Sequence, residues 1–90
     1  MLEGSYPNPF SSETQIRFTL AEPSTISLAI FDAQGNTVRT LMTDAPVQKG
    51  EGTASWDGRD DNGVMVSSGT YFCRLQNGDL TDVQSLVLTR

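Results

Sequence analysis

Residues 14–31 read TQIRFTLAEPSTISLAIF. Ile16, Phe18 and Leu20 occupy every second position of the first half, and Ile26, Leu28 and Ile30 repeat the pattern in 25–31. Side chains on a β-strand point alternately to its two faces, so each half presents one apolar and one polar face, as a half-buried strand does. Glu22-Pro23-Ser24 breaks the alternation between them, because proline lacks the N–H a sheet ladder needs. Two strands at hairpin spacing open the chain.

Working outward, Asp32-Ala33-Gln34-Gly35-Asn36 supplies turn residues before a third segment, 37–42. There Val38 and Leu41 stand three apart, a helical spacing as readily as a bulged strand; β-branched content and short length favour strand. Residues 46–52 read as a loop. In 53–56 Ala54 and Trp56 point the same way, and in 70–75 Tyr71, Cys73 and Leu75 share one face while Thr70, Phe72 and Arg74 share the other. Asn77-Gly78-Asp79 predicts a hairpin into a last strand, 80–89, where the continuous run Leu86-Val87-Leu88 implies a bulge or burial on both faces. About seven short antiparallel strands without a convincing helix predict an all-β, immunoglobulin-like sandwich.

The totals exclude most chemistry. Ninety residues suit one small domain with a thin core and little room for a buried cavity. A formal charge of -5 with six scattered Lys and Arg argues against nucleic acid and anionic membranes as partners. No apolar run approaches the ~18 residues of a membrane helix, so no membrane insertion is expected. The single Cys73 cannot form an internal disulfide, and the lack of histidine removes the usual zinc sites and Ser-His or Cys-His pairs. Met1-Leu2-Glu3-Gly4-Ser5 is aperiodic and ends in Gly-Ser, like an appended leader. Residues 1–5 are therefore expected to lie outside the fold and 6–90 to form the domain.

The acidic stretch SWDGRDDNG, residues 55–63, places Asp57, Asp60, Asp61 and Asn62 close together as hard oxygen donors, which raises calcium. A calcium-loop register that puts Gly63 at its sixth position would have Gly58 and Gly69 at the first and twelfth, where acids are required. The preferred reading is a turn whose Asp and Asn side chains bond nearby amides, with no cofactor. Adjacent Asp60 and Asp61 cannot straddle a sugar for hydrolysis, so no catalytic residue is assigned. Phe72 is expected to be the one exposed ring, a poor platform for a polysaccharide. Tyr6-Pro7-Asn8-Pro9-Phe10 is expected to run as an extended strap over a sheet edge. Phe10, with Tyr6 as a second candidate, would close one end of the core.

Taken together, Tyr6-Pro7-Asn8-Pro9-Phe10, Asp32-x-x-Gly35-x-x-Val38-x-x-Leu41, Trp56-Asp57-Gly58-Arg59-Asp60-x-x-Gly63 and Ser68-Gly69-x-Tyr71 resemble the C-terminal sorting domain of type IX secretion cargo. That domain is similar in turn to the immunoglobulin-like domain of the flagellar hook-capping protein. The resemblance implies a non-catalytic module following a cargo domain in a larger bacterial protein of Bacteroidetes type. Such a protein crosses the periplasm to the cell surface or medium, and the secretion machinery is the partner. It further implies that Leu86, Val87, Leu88 and Arg90 carry the signal, presented on or peeled from a sheet edge. Trp56, Asp57, Gly58, Gly63, Gly69 and Tyr71 are then fold-signature residues. The chain departs from the family pattern at Gln84-Ser85, where a cation usually precedes the apolar run. A flagellar structural domain and a carbohydrate-binding accessory module are the rival readings.

Overall fold

The alternation in residues 14–31 is realised in full. In the computed structural model, which describes residues 1–90, Ile16, Phe18, Leu20, Ile26, Leu28 and Ile30 all point into one core and are almost completely buried. Seven strands form: β1 (Leu2–Tyr6), β2 (Thr14–Leu20), β3 (Ser24–Phe31), β4 (Thr37–Val47), β5 (Gly50–Trp56), β6 (Gly69–Asn77) and β7 (Leu80–Leu88). One sheet has the order β1-β2-β5 and the other β4-β3-β6-β7, with every neighbouring pair antiparallel. The two sheets face each other as an immunoglobulin-like sandwich.

The core between them holds fourteen side chains, among them Phe10, Trp56, Tyr71, Cys73, Leu75, Leu86 and Leu88. Burial of each large apolar chain contributes about 1.5–3 kcal/mol. Volumes on β2 and β5 are complementary across the ladder. Phe18 lies opposite Gly52, Ile16 opposite Ala54, and the small Thr14 opposite Trp56. A Cβ on Gly52 would come within 2.5 Å of the Phe18 ring, so the ring occupies the space a side chain would take.

Five expectations are corrected. Residues 1–5 lie inside the fold: Leu2 is buried and β1 pairs with β2, because the backbone of that segment completes the three-stranded sheet. The expected loop over 46–52 shrinks to Gln48 and Lys49, since β3 extends β4 by pairing as far as Val47. Residues Pro7 to Pro9 bend instead of running extended, with cis peptide bonds before Pro7 and Pro9. Tyr6 is 78% exposed, so Phe10 alone closes that end of the core. The three-residue spacing of Val38 and Leu41 is a bulged strand, with the register slipping between Leu28↔Met42 and Ala29↔Thr40. The run Leu86-Val87-Leu88 keeps plain alternation: Leu86 and Leu88 are buried, and Val87 points outward and is half-buried.

Candidate functional site

The acidic turn engages its carboxylates one by one with backbone amides. Asp57 Oδ1 accepts from the Arg59 N–H at 3.1 Å and from the Arg39 guanidinium at 3.1 Å. Asp60 Oδ1 accepts from the N–H groups of Asn62 and Val64, at 2.9 and 3.0 Å. Asp61 Oδ1 accepts from the Thr40 N–H of β4 at 2.9 Å, while the Asp61 N–H donates to the Val38 carbonyl at 3.0 Å. Asp61 thus takes the place of a neighbouring strand on the β4 edge, which would otherwise expose unpaired polar groups. Gly58 and Gly63 adopt φ values of +74° and +80°, in the left-handed region. The side chains of Asp57, Asp60 and Asp61 therefore face different partners, Asn62 joins the turn through its backbone N–H, and no three acidic or thiol groups converge on one point.

Trp56 is fully buried at the end of β5. Its indole N–H donates to the Arg59 carbonyl at 2.9 Å, and Phe10 and Tyr71 pack edge-on against it with centroids at 5.5 and 5.3 Å. The Tyr71 hydroxyl donates to the Ser67 carbonyl at 2.6 Å. Burial raises the Tyr71 pKa, and the negative charge of Asp32 adds to the rise. Asp32 itself is held below the usual carboxylate range by the N–H of Asn36, with the Gln34 N–H helping, in the turn between β3 and β4.

At the other end of the chain, β7 is an edge strand of the four-stranded sheet. Its outer edge is nevertheless occupied. Phe10 pairs in parallel with Leu88, its N–H donating to the Val87 carbonyl at 2.9 Å and its carbonyl accepting from the Thr89 N–H at 2.8 Å. The Asn8 side chain accepts from the Val87 N–H at 2.9 Å and donates to the Ser85 carbonyl at 3.3 Å. Further along, Asp82 accepts from the Leu2 N–H, and Gln84 donates to the Leu2 carbonyl. Arg90 is fastened as well. Its guanidinium donates to the carbonyls of Gly58 (2.8 Å) and Val66 (3.1 Å), and its N–H donates to Ser68 Oγ (2.9 Å).

The structure therefore gathers Leu86, Val87, Leu88 and Arg90 at one end of the sandwich, beside Phe10, Trp56 and Gly58. Asn8, Gln84 and Asp82 were missed as part of this assembly. The proline-flanked position of Asn8 was its one local signal. Phe72 is not the one exposed ring: it is half-buried opposite Phe31, whose ring carries the Arg74 guanidinium at 4.4 Å from its centroid, and Tyr6 is far more exposed.

The model of the FlgD Ig-like domain matches residues 8–79. The chain belongs to that family. None of the curated proteins searched matches it. Among solved structures, this FlgD Ig-like domain is similar to part of PorZ from Porphyromonas gingivalis, described as an essential surface component of the type IX secretion system. The identity there is 21% and the TM-score 0.66, covering 96% of this chain and 11% of PorZ. It is also similar to part of dimeric latent PorU from the same organism, at 17% identity and TM-score 0.66, covering 94% of this chain and 9% of that one. The FlgD Ig-like domain thus spans about a tenth of the solved chains it matches, and at these identities the likeness establishes the fold. The family match stops at Asp79, immediately before β7.

Proposed function

We propose that this Ig-like domain is a non-catalytic sorting module of a larger secreted or cell-surface bacterial protein, engaged at its terminal strand by type IX secretion machinery. The observation that carries the reading is the placement of β7 together with the extent of the likeness. β7 is an edge strand, in a chain similar over 96% of its length to part of a type IX surface component. An edge strand is the element another chain can pair with through its backbone, while the side chains that alternate along it supply selectivity. The Tyr6–Phe10 motif supports the same reading, because it makes direct contact with that strand.

The test is a reporter fused to residues 1–90 in a host with a working type IX system. The fusion is expected outside the cell. Deleting 86–90 would remove Leu86 and Leu88 from the core, so the informative variants are Val87→Asp and Arg90→Ala, which alter the terminus without emptying core positions. Retention of these folded variants in the periplasm supports the reading, and export equal to that of the native fusion sinks it. The second reading, a structural domain of a flagellar hook cap, is favoured by the family match over 8–79. It predicts no export of the native fusion and association with a flagellar assembly partner instead.

A further inference from the structure

The outer edge of β7 is closed by groups that do not come from a neighbouring strand of its own sheet. Asn8 presents its side-chain oxygen to the Val87 N–H and its side-chain nitrogen to the Ser85 carbonyl, the alternation of acceptor and donor that a strand backbone offers. Phe10 continues the series with its own backbone, in parallel register, to Val87 and Thr89. Together they imitate a short parallel strand over residues 85–89. The anchor of this imitation is the Phe10 ring, 2% exposed and edge-on to Trp56. Around that anchor the loop is exposed at Pro7, Asn8, Pro9, Ser11, Ser12 and Glu13, and the bonds from Asn8 lie at the surface; its start is tied by the buried Thr14 hydroxyl, which donates to the Pro7 carbonyl at 2.7 Å.

From this we infer that the 85–89 edge of β7 is a strand-addition site which the chain's own loop 7–13 occupies. The partner it fits is an extended segment parallel to β7 carrying an aromatic side chain that takes the position of Phe10 beside Trp56. The segment belongs to the component that engages the terminus, so the inference rests on the sorting reading above. Displacement exchanges like for like, backbone bonds for those of Asn8 and Phe10 and ring for ring. A segment without the aromatic would leave Trp56 uncovered, and that sets the specificity.

A labelled peptide spanning residues 5–13, SYPNPFSSE, serves as the probe. Phe10→Ala in the full chain empties the ring position beside Trp56 and so removes the loop's anchor, leaving only its surface bonds to be displaced, and Trp56, the sole tryptophan, reports the empty position by a red-shifted emission. The variant is expected to bind the peptide saturably and to recover native emission, with binding at least tenfold weaker to the native chain. No binding is expected for the peptide whose Phe is replaced by Ala. A folded Phe10→Ala chain that ignores the peptide would overturn the inference. Should that variant fail to fold, Asn8→Ala keeps Phe10 in the core and loosens the loop. The amides of Val87 and Thr89 should then exchange at least tenfold faster while that of Leu75 is unchanged, and an equal rise at Leu75, or none at Val87, overturns it. Peptide binding alongside a native fusion retained in the periplasm would defeat the sorting reading alone. Export of that fusion without peptide binding would defeat the strand-addition site alone.

Discussion

Gly58 stands where the acidic turn meets the C-terminus. A Cβ there would lie 2.5 Å from Arg90 Nη2, and its φ of +74° already disfavours any other residue. Gly58→Ala therefore carries two separable costs: backbone strain of about 1–2 kcal/mol, and loss of the Arg90 contacts. Urea denaturation is expected to show about 2 kcal/mol lost in the native background and only the backbone part when Arg90→Ala is already present. Cys73 makes a second prediction at this scale. Burial, with the charge of Asp82 adding to it, pushes its thiol from 9.0 up to about 12. The folded chain thus keeps a proton that the unfolded chain releases first, so this group's contribution to stability is complete below about pH 9 and is lost as pH rises through about 12. The stability gap between native and Cys73→Ala chains should therefore shift against the native protein between pH 8 and pH 11. At pH 8 a thiol reagent should react with the folded chain no faster than it unfolds.

Among the elements, the acidic turn acts as a substitute strand for β4. Asp61→Ala should lower stability by about 1 kcal/mol by freeing the Thr40 N–H, measurable as a lower denaturant midpoint, and should raise aggregation through the uncovered edge. Because Asp57, Asp60 and Asp61 already accept backbone or guanidinium N–H groups, millimolar calcium is expected to leave the melting temperature unchanged. A saturable rise would reverse that assignment. Strands β2, β3 and β6 were legible because their alternation is written in consecutive residues. β1 was not: Leu2 is its one buried residue, and its place comes from pairing with β2. The second half of β4, around Asp44-Ala45-Pro46, carries no alternation and is strand because β3 lies beside it. The site was half legible for a similar reason. The motif residues announce themselves locally, but Asn8 meets Val87 and Leu2 meets Asp82 across nearly the whole chain, and no local pattern encodes such a meeting.

For the whole molecule, the two end strands lie in different sheets and are tied to each other, Leu2 of β1 bonding through its backbone to the side chains of Asp82 and Gln84 on β7. Removing residues 1–5 deletes Leu2 from the core and strips β1 from β2, an expected loss of about 2–4 kcal/mol that calorimetry should read as a drop on the order of 10 °C in Tm. A Tm unchanged by the deletion would mean that β1 contributes pairing without stability. The geometry has a mechanical side. β1 and β7 run in the same direction, with Leu2 beside Asp82 near the start of β7 and Phe10 beside Leu88 at its end. Tension between Met1 and Arg90 therefore loads the bonds of both strands in shear, many at once, and forced unfolding is governed by the unfolding barrier rather than by equilibrium stability. A motor hauling on the terminal arginine would meet its greatest resistance at the first step. A receptor that lifted β7 sideways would break one rung at a time.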